Sequence, residues 1–276
     1  LIIVRQLFRF SNQMMKTCFY LHPTVGIRIL PTGEGMNFKV EGKRALVMGG
    51  SSGIGMGIAK ALRDEGVRVA IVARDVEKLR RAAGEIGAEH FESADLYDPD
   101  QARKATLAIQ EKLGGIDILV THNGGPPKGR FQDLSRADWQ RGFEGLWLSA
   151  TESIQALLPA MQRRRWGRVL LVTSIAAREP LPGLPVSSGL RAGLGALAKS
   201  LSDEVARDGV TVNAVLPGYT ATGEALQVPQ LIEKIPARRL ATPAEVGALA
   251  SFLSSEQASY ITGQSIACDG GFLRGL

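Results

Sequence analysis

From about Val40 onward, short runs rich in Val, Ile, Leu and Ala alternate with longer stretches whose apolar residues recur three or four positions apart. The runs predict strands and the longer stretches amphipathic helices. Strands are expected at Arg44–Met48, Val67–Val72, more weakly at His90–Phe91, then at Ile116–Thr121, Arg168–Thr173, Val210–Val215 and Gln264–Cys268. Helices are expected around 53–65, 76–86, 99–113, 136–163, 188–207 and 243–254. Ala-Ile-Val at 70–72 and Val-Leu-Leu-Val at 169–172 lack polar alternation, so both their faces must be covered. Strands and helices in this order imply an α/β fold, a single doubly wound domain with a seven-stranded parallel sheet between helices.

Residues 1–35 break the pattern, because no strand or helix period lasts beyond a turn or two and Pro31-Thr32-Gly33-Glu34-Gly35 reads as loop. They are expected to be an appendage, disordered or upstream of a true start at Met36, with one domain over 36–276. Arg9, Lys16 and Arg28 interrupt every candidate apolar segment, which argues against a secretory signal, while the Arg-rich, acid-poor composition resembles a mitochondrial presequence.

The chain of 276 residues has 33 Lys and Arg against 27 Asp and Glu, a net +6. Arg5, Arg9, Lys16 and Arg28 against Glu34 place half of that excess in the appendage. The Arg163-Arg164-Arg165 run suits a helix C-terminus. No nucleic-acid partner is therefore expected. Two cysteines, Cys18 and Cys268, cannot build a disulfide framework, and neither His22 nor His90 has metal-ligand spacing. No apolar stretch reaches the roughly 18 residues of a membrane span, so a cytoplasmic protein without membrane partners is expected.

The chemistry begins after the first strand, where Gly49-Gly50-Ser51-Ser52-Gly53-Ile54-Gly55 leads into a helix. Glycines there let the backbone turn and approach a pyrophosphate, whose charge the free amides and dipole of the helix N-terminus stabilise. About 20 positions beyond such a loop lies the residue that reads the adenosine ribose. Here Arg74 ends the second strand, which favours the 2′-phosphate and hence NADP(H) over NAD(H). Asp75 sits where the next helix starts and is expected to cap it.

With residues downstream, these positions resemble the short-chain dehydrogenase/reductase family, a Rossmann-type fold, and in it the 3-oxoacyl-[acyl-carrier-protein] reductase-like branch. Gly49, Gly53 and Gly55 match the glycine motif, with Met48 where Thr is usual. Asp95-Leu96 match the adenine-contacting pair, and Thr121-His122-Asn123-Gly124 the Asn-Asn-Ala-Gly motif with only its Gly kept. Pro217-Gly218 with Thr220 and Thr222 resemble the nicotinamide loop. Ile261-Thr262-Gly263-Gln264 and Asp269-Gly270-Gly271 resemble the C-terminal signature. The resemblance implies that Ser51, Ser52, Ile54, Asn123 and Gly124 also meet the cofactor.

It further implies a catalytic Ser, an upstream Asn, and a Tyr followed four residues later by Lys. Ser174 holds the Ser position, but Ser187 stands for Tyr, Arg191 for Lys and Leu146 for Asn. Ser187 and Arg191 still share a helix face, and Arg191 can bind a ribose. Serine is shorter than a phenol and a far weaker acid, so another group would have to carry the proton: Tyr219, His122, or a water between Ser174 and Ser187. Two readings stay open. One is an NADP(H)-dependent oxidoreductase acting on a small-molecule or acyl carbonyl substrate. The other is an NADP-binding regulatory protein or pseudo-enzyme that has lost proton transfer. A homo-oligomer, dimer or tetramer, is expected through the 136–163 and 188–207 helices, which carry Trp139, Phe143, Leu146, Trp147, Leu194 and Leu197.

Overall fold

Residues 19–22, 25–29, 37–223 and 230–275 are described by a computed structural model of the chain, which divides into the units Leu1–Asn37 and Phe38–Leu276. In the first unit, strands β1 (Phe19–His22) and β2 (Val25–Ile29) pair antiparallel. Strands of four and five residues are too short to display a period, which is why the pattern shows no element there.

In the second unit, β3 (Arg44–Met48), β4 (Arg68–Ala73), β5 (His90–Ser93), β6 (Ile118–Thr121), β7 (Gly167–Val172), β8 (Val210–Pro217) and β9 (Ser265–Cys268) form one parallel sheet. The spatial order is β5-β4-β3-β6-β7-β8-β9. Helices α1 (Gly53–Asp64) and α2 (Val76–Ile86) cover one face, where Ile58, Leu62, Leu79 and Ile86 meet Val47, Ile71 and Val120. Helix α3 (Pro99–Leu113) covers the other, where Ile109 meets Leu46, Val72 and Leu119. Alternate residues of each strand thus enter opposite cores, as continuous apolar runs require. The expected fold, seven parallel strands in one doubly wound Rossmann-type sheet, is what the chain adopts.

Some boundaries differ from the pattern. The long helix expected over 136–163 is three pieces: α4 (Arg136–Gly142), a π-helical turn (Phe143–Leu148) and α5 (Ser149–Arg164). A Cβ on Gly142 would collide with Val186 and one on Gly145 with the Tyr97 ring, so the chain is packed tightly against neighbours on both sides of the break. The helix expected at 188–207 is α6 (Pro185–Val205), because Pro185 fits a first helical turn. A short α7 (Gln230–Lys234) precedes α8 (Pro243–Leu253), which a Thr242–Glu245 capping box starts. Asp75 caps α2, accepting from the Lys78 amide at 3.0 Å.

Candidate active site

The order of the strands reverses between β3 and β6, whose C-terminal ends flank a crevice of the kind that takes ligands in such sheets. A cleft of about 1370 Å³ opens there, lined by Gly49, Ser51, Ser52, Gly53 and Ile54 on one side and by Gly218, Thr220 and Thr222 on another. Gly49 has φ +65°, and a Cβ on it would lie 2.7 Å from the His122 ring. Gly55 packs so closely on the Gly49 carbonyl that no side chain fits. Ser52, extended at the N-cap of α1, makes no side-chain cap bond, so the first-turn amides of this 12-residue helix retain capacity for an anion.

At the end of the cleft beside β4, Arg74, Asp75, Lys78, Asp95 and Leu96 form the lining. Arg74 is exposed and makes no ion pair among the described residues. Asp75 is occupied by its cap and by Lys78, 3.6 Å away. Asp95 turns a carboxylate oxygen back to the Tyr97 amide at 3.1 Å. Across the cleft, Gly218 donates to the Cys268 carbonyl at 2.9 Å, and a Cβ there would lie 2.7 Å from the Asp269 Cα. Thr220 is buried and donates to the Gly218 carbonyl, while Pro217 closes β8 behind it. The Thr222 methyl faces Gly53, which narrows the cleft between its two walls.

The expected catalytic residues divide into two groups. Tyr219 and His122 line the cleft. Tyr219 packs edge-on against Phe272 at 5.3 Å, and burial raises its phenol above the ordinary value. His122 keeps some exposed surface, yet its Nδ1 is enclosed and without a partner. Burial, then the charge of Arg191, pushes its imidazole down to about 4, so near neutral pH the ring is uncharged. Ser174, Ser187 and Arg191 are not among the residues lining the cleft. Arg191 is 7% exposed; its Nε donates to Ser187 Oγ at 3.2 Å and its Nη1 to the carbonyls of Val172 and Thr173 at 3.1 and 2.7 Å. Burial lowers the guanidinium to about 10. The i,i+4 pair is therefore a real hydrogen-bonded dyad, clipped to the end of β7 next to Ser174. Ser174 itself accepts from the Ala176 amide at 3.2 Å. Leu146 is buried, 4% exposed.

A family model described as enoyl-(acyl carrier protein) reductase matches residues 49–273. The chain belongs to the short-chain dehydrogenase/reductase family. It is 35% identical over 240 residues to nodulation protein G of Rhizobium sp. strain N33, covering 85% of this chain and 98% of that protein. It is 30% identical over 243 residues to the 3-oxoacyl-[acyl-carrier-protein] reductase MabA of Mycobacterium bovis, covering 86% and 96%. Among solved structures, L-sorbose reductase of Gluconobacter frateurii, complexed with NADPH and L-sorbose, superposes with a TM-score of 0.82 at 30% identity, covering 87% of this chain and all of that one. These relatives place the protein on the 3-oxoacyl reductase-like side of the short-chain dehydrogenase/reductase family.

Cleft residues of this short-chain dehydrogenase/reductase that were not anticipated include Lys60, Lys78 and Tyr97. Tyr97 directly follows Asp95-Leu96, a position that could have flagged it. The lysines carry no such signal, because a Lys on an amphipathic helix or loop is ordinarily solvated. Asn123, expected at the cofactor, donates its side-chain amide to the carbonyls of Leu96 and Gly145 at 2.9 and 2.8 Å and so also ties the cleft's floor together.

Proposed function

We propose that the protein is an NADP(H)-dependent oxidoreductase that interconverts a carbonyl and a hydroxyl on a small-molecule or acyl substrate. The observation that carries this is the glycine loop, whose side-chain-free cradle and uncapped α1 N-terminus open into a cleft with an unpaired Arg74 on its wall. The NADPH complex of L-sorbose reductase supports the same cofactor. In this reading Gly49, Ser51, Ser52, Gly53, Ile54 and Gly55 hold the pyrophosphate, Arg74 the 2′-phosphate, and Asp95 and Leu96 the adenine. Asn123 and Gly124 serve the riboses, Arg191, held by Ser187 and the Val172 and Thr173 carbonyls, does not reach them, and Pro217, Gly218, Thr220 and Thr222 serve the nicotinamide. When bound, the nicotinamide supplies or accepts hydride at the substrate carbon. Ser174 orients the carbonyl, and Ser187, bonded to Arg191, or Tyr219 handles the proton. A charge-assisted contact is worth about 1.5–3 kcal/mol, at least roughly tenfold in affinity. NADPH should thus bind at least that much more tightly than NADH, and Arg74→Ala should erase the difference. Equal affinities in the wild type would reject the assignment.

The second reading, a dinucleotide-binding regulatory protein, is favoured by one observation. The Arg191 guanidinium is anchored to backbone carbonyls and to Ser187, so no flexible ammonium is beside an acid of phenolic strength. Both readings include a cytoplasmic homo-oligomer. Leu146 and Leu194 are buried within the monomer core, so the interface would rest on Phe143, 41% exposed and stacked on Trp147, and on Phe131, 74% exposed beside Trp139. Light scattering tests this, and a monomer at micromolar concentration would refute it.

A further inference from the structure

Tyr97 stands where three segments of the cleft meet. Its hydroxyl donates to the Gly125 carbonyl at 2.6 Å. Its ring packs on Gly145 in the π-helical turn, at a spot where even a methyl group would not fit. The Arg141 guanidinium lies 4.7 Å over the same ring. On the Tyr97 side, Asp95 and Leu96 form the adenosine-reading wall. On the Gly125 side, the chain runs through Pro126 and Pro127 to Gly129, whose amide donates to the Gly183 carbonyl at 2.9 Å. Gly183 precedes the first turn of α6, which carries Ser187 and Arg191. A hydrogen-bonded path therefore links the cofactor wall to the catalytic helix through two side chains: Asn123, whose amide donates to the Leu96 carbonyl, and Tyr97, whose bond lands farther along the loop at Gly125.

We propose that Tyr97 is a positioning residue that latches the 124–129 loop to the adenosine wall, so that an occupied cofactor cleft sets the substrate-facing loop. Two prolines make that loop stiff, so holding its start also aims its end. A neutral hydrogen bond between a phenol and a carbonyl lasts only while the phenol keeps its proton. Burial raises the Tyr97 phenol above its ordinary value, and Arg141, Arg191 and Arg74 pull only partly the other way. The latch is thus closed throughout the neutral range.

The proposal rests on the cofactor reading above, and its test separates the two. Tyr97→Phe keeps the ring on Gly145 and under Arg141 and deletes only the hydroxyl. Tryptic cleavage after Lys128, measured without ligand, should speed up roughly two- to tenfold, the factor one neutral hydrogen bond is worth. At saturating NADPH the wild-type cleavage should slow and that of the variant should not. With a ketone substrate, KM should rise severalfold while kcat changes less. Unchanged cleavage in the variant would overturn the latch, as would faster cleavage accompanied by a general loss of thermal stability. NADPH that binds the wild type without slowing cleavage would overturn the coupling. If NADPH does not bind at all, the cofactor reading fails, and the ligand-free comparison still decides the latch.

Discussion

At the N-terminal edge of the sheet, Arg44 donates to both carboxylate oxygens of Asp117 at 2.8 and 2.7 Å, and Arg164 lies 3.3 Å from the same group. Arg168, 2% exposed, has Glu256 at 3.9 Å and the Trp166 ring at 4.3 Å. At the C-terminal edge, Arg191 is similarly enclosed, yet its hydrogen-bond partners are carbonyls and a hydroxyl, and it forms no ion pair among the described residues. A buried cation is costly unless paired, so the first edge has settled its charges internally. The second holds an uncompensated positive charge, a neutral imidazole with an unpartnered nitrogen and an uncapped helix start. Such unmet groups concentrate where a ligand completes them, and a dinucleotide is anionic.

The largest expected effect comes from reversing the chemistry of the ligand edge. Ser187→Tyr with Arg191→Lys should raise kcat/KM on a simple ketone by about 10²–10⁴, the usual worth of a positioned general acid. Each single change should give less, because the two side chains act as a unit. Brisk wild-type turnover that Tyr219→Phe or His122→Ala abolishes would instead show that the acid has moved across the cleft.

Breaking a pair at the opposite edge should cost stability and leave cofactor binding intact. Asp117→Ala strands Arg44 and should lose about 3–5 kcal/mol in urea unfolding. Burial raises the Asp117 carboxyl, but the hydrogen bonds and charge of Arg44 outweigh it and hold it below the ordinary value. Its contribution is therefore complete above the unfolded carboxylate range and vanishes as pH falls through the lower folded value. A wild-type protein whose acid unfolding matches the variant's would contradict this.

A smaller effect concerns His122. Its folded value of about 4 lies below the ordinary 6.5, so between those limits the unfolded chain binds a proton that the folded chain refuses. Stability should fall as pH drops through that window, by about 2 kcal/mol from pH 7 to pH 5. His122→Asn should flatten that slope; an unchanged slope would mean the ring is not enclosed as described.

Strand and helix succession was legible because each strand lies between two covered faces and each helix shows one apolar stripe. The π-helical break was not, since Phe143–Leu148 has a normal helical composition and the interruption accompanies contacts with Val186 and Tyr97 from distant segments. The glycine loop and the Asp75 cap were readable from local backbone needs. Tyr97, Lys60 and Lys78 became cleft residues only through topology.

By itself, then, the order of residues determined the doubly wound sheet, the anion-ready turn after β3, the Arg74 position and the i,i+4 spacing of Ser187 and Arg191, because each depends on composition or spacing within one short stretch. Whether Arg191 would face an acid, whether His122 would be charged, and which carbonyl the Tyr97 phenol would bond were decided by tertiary structure. Those properties are set by desolvation and by neighbours from several separate segments, and no single stretch of chain contains them.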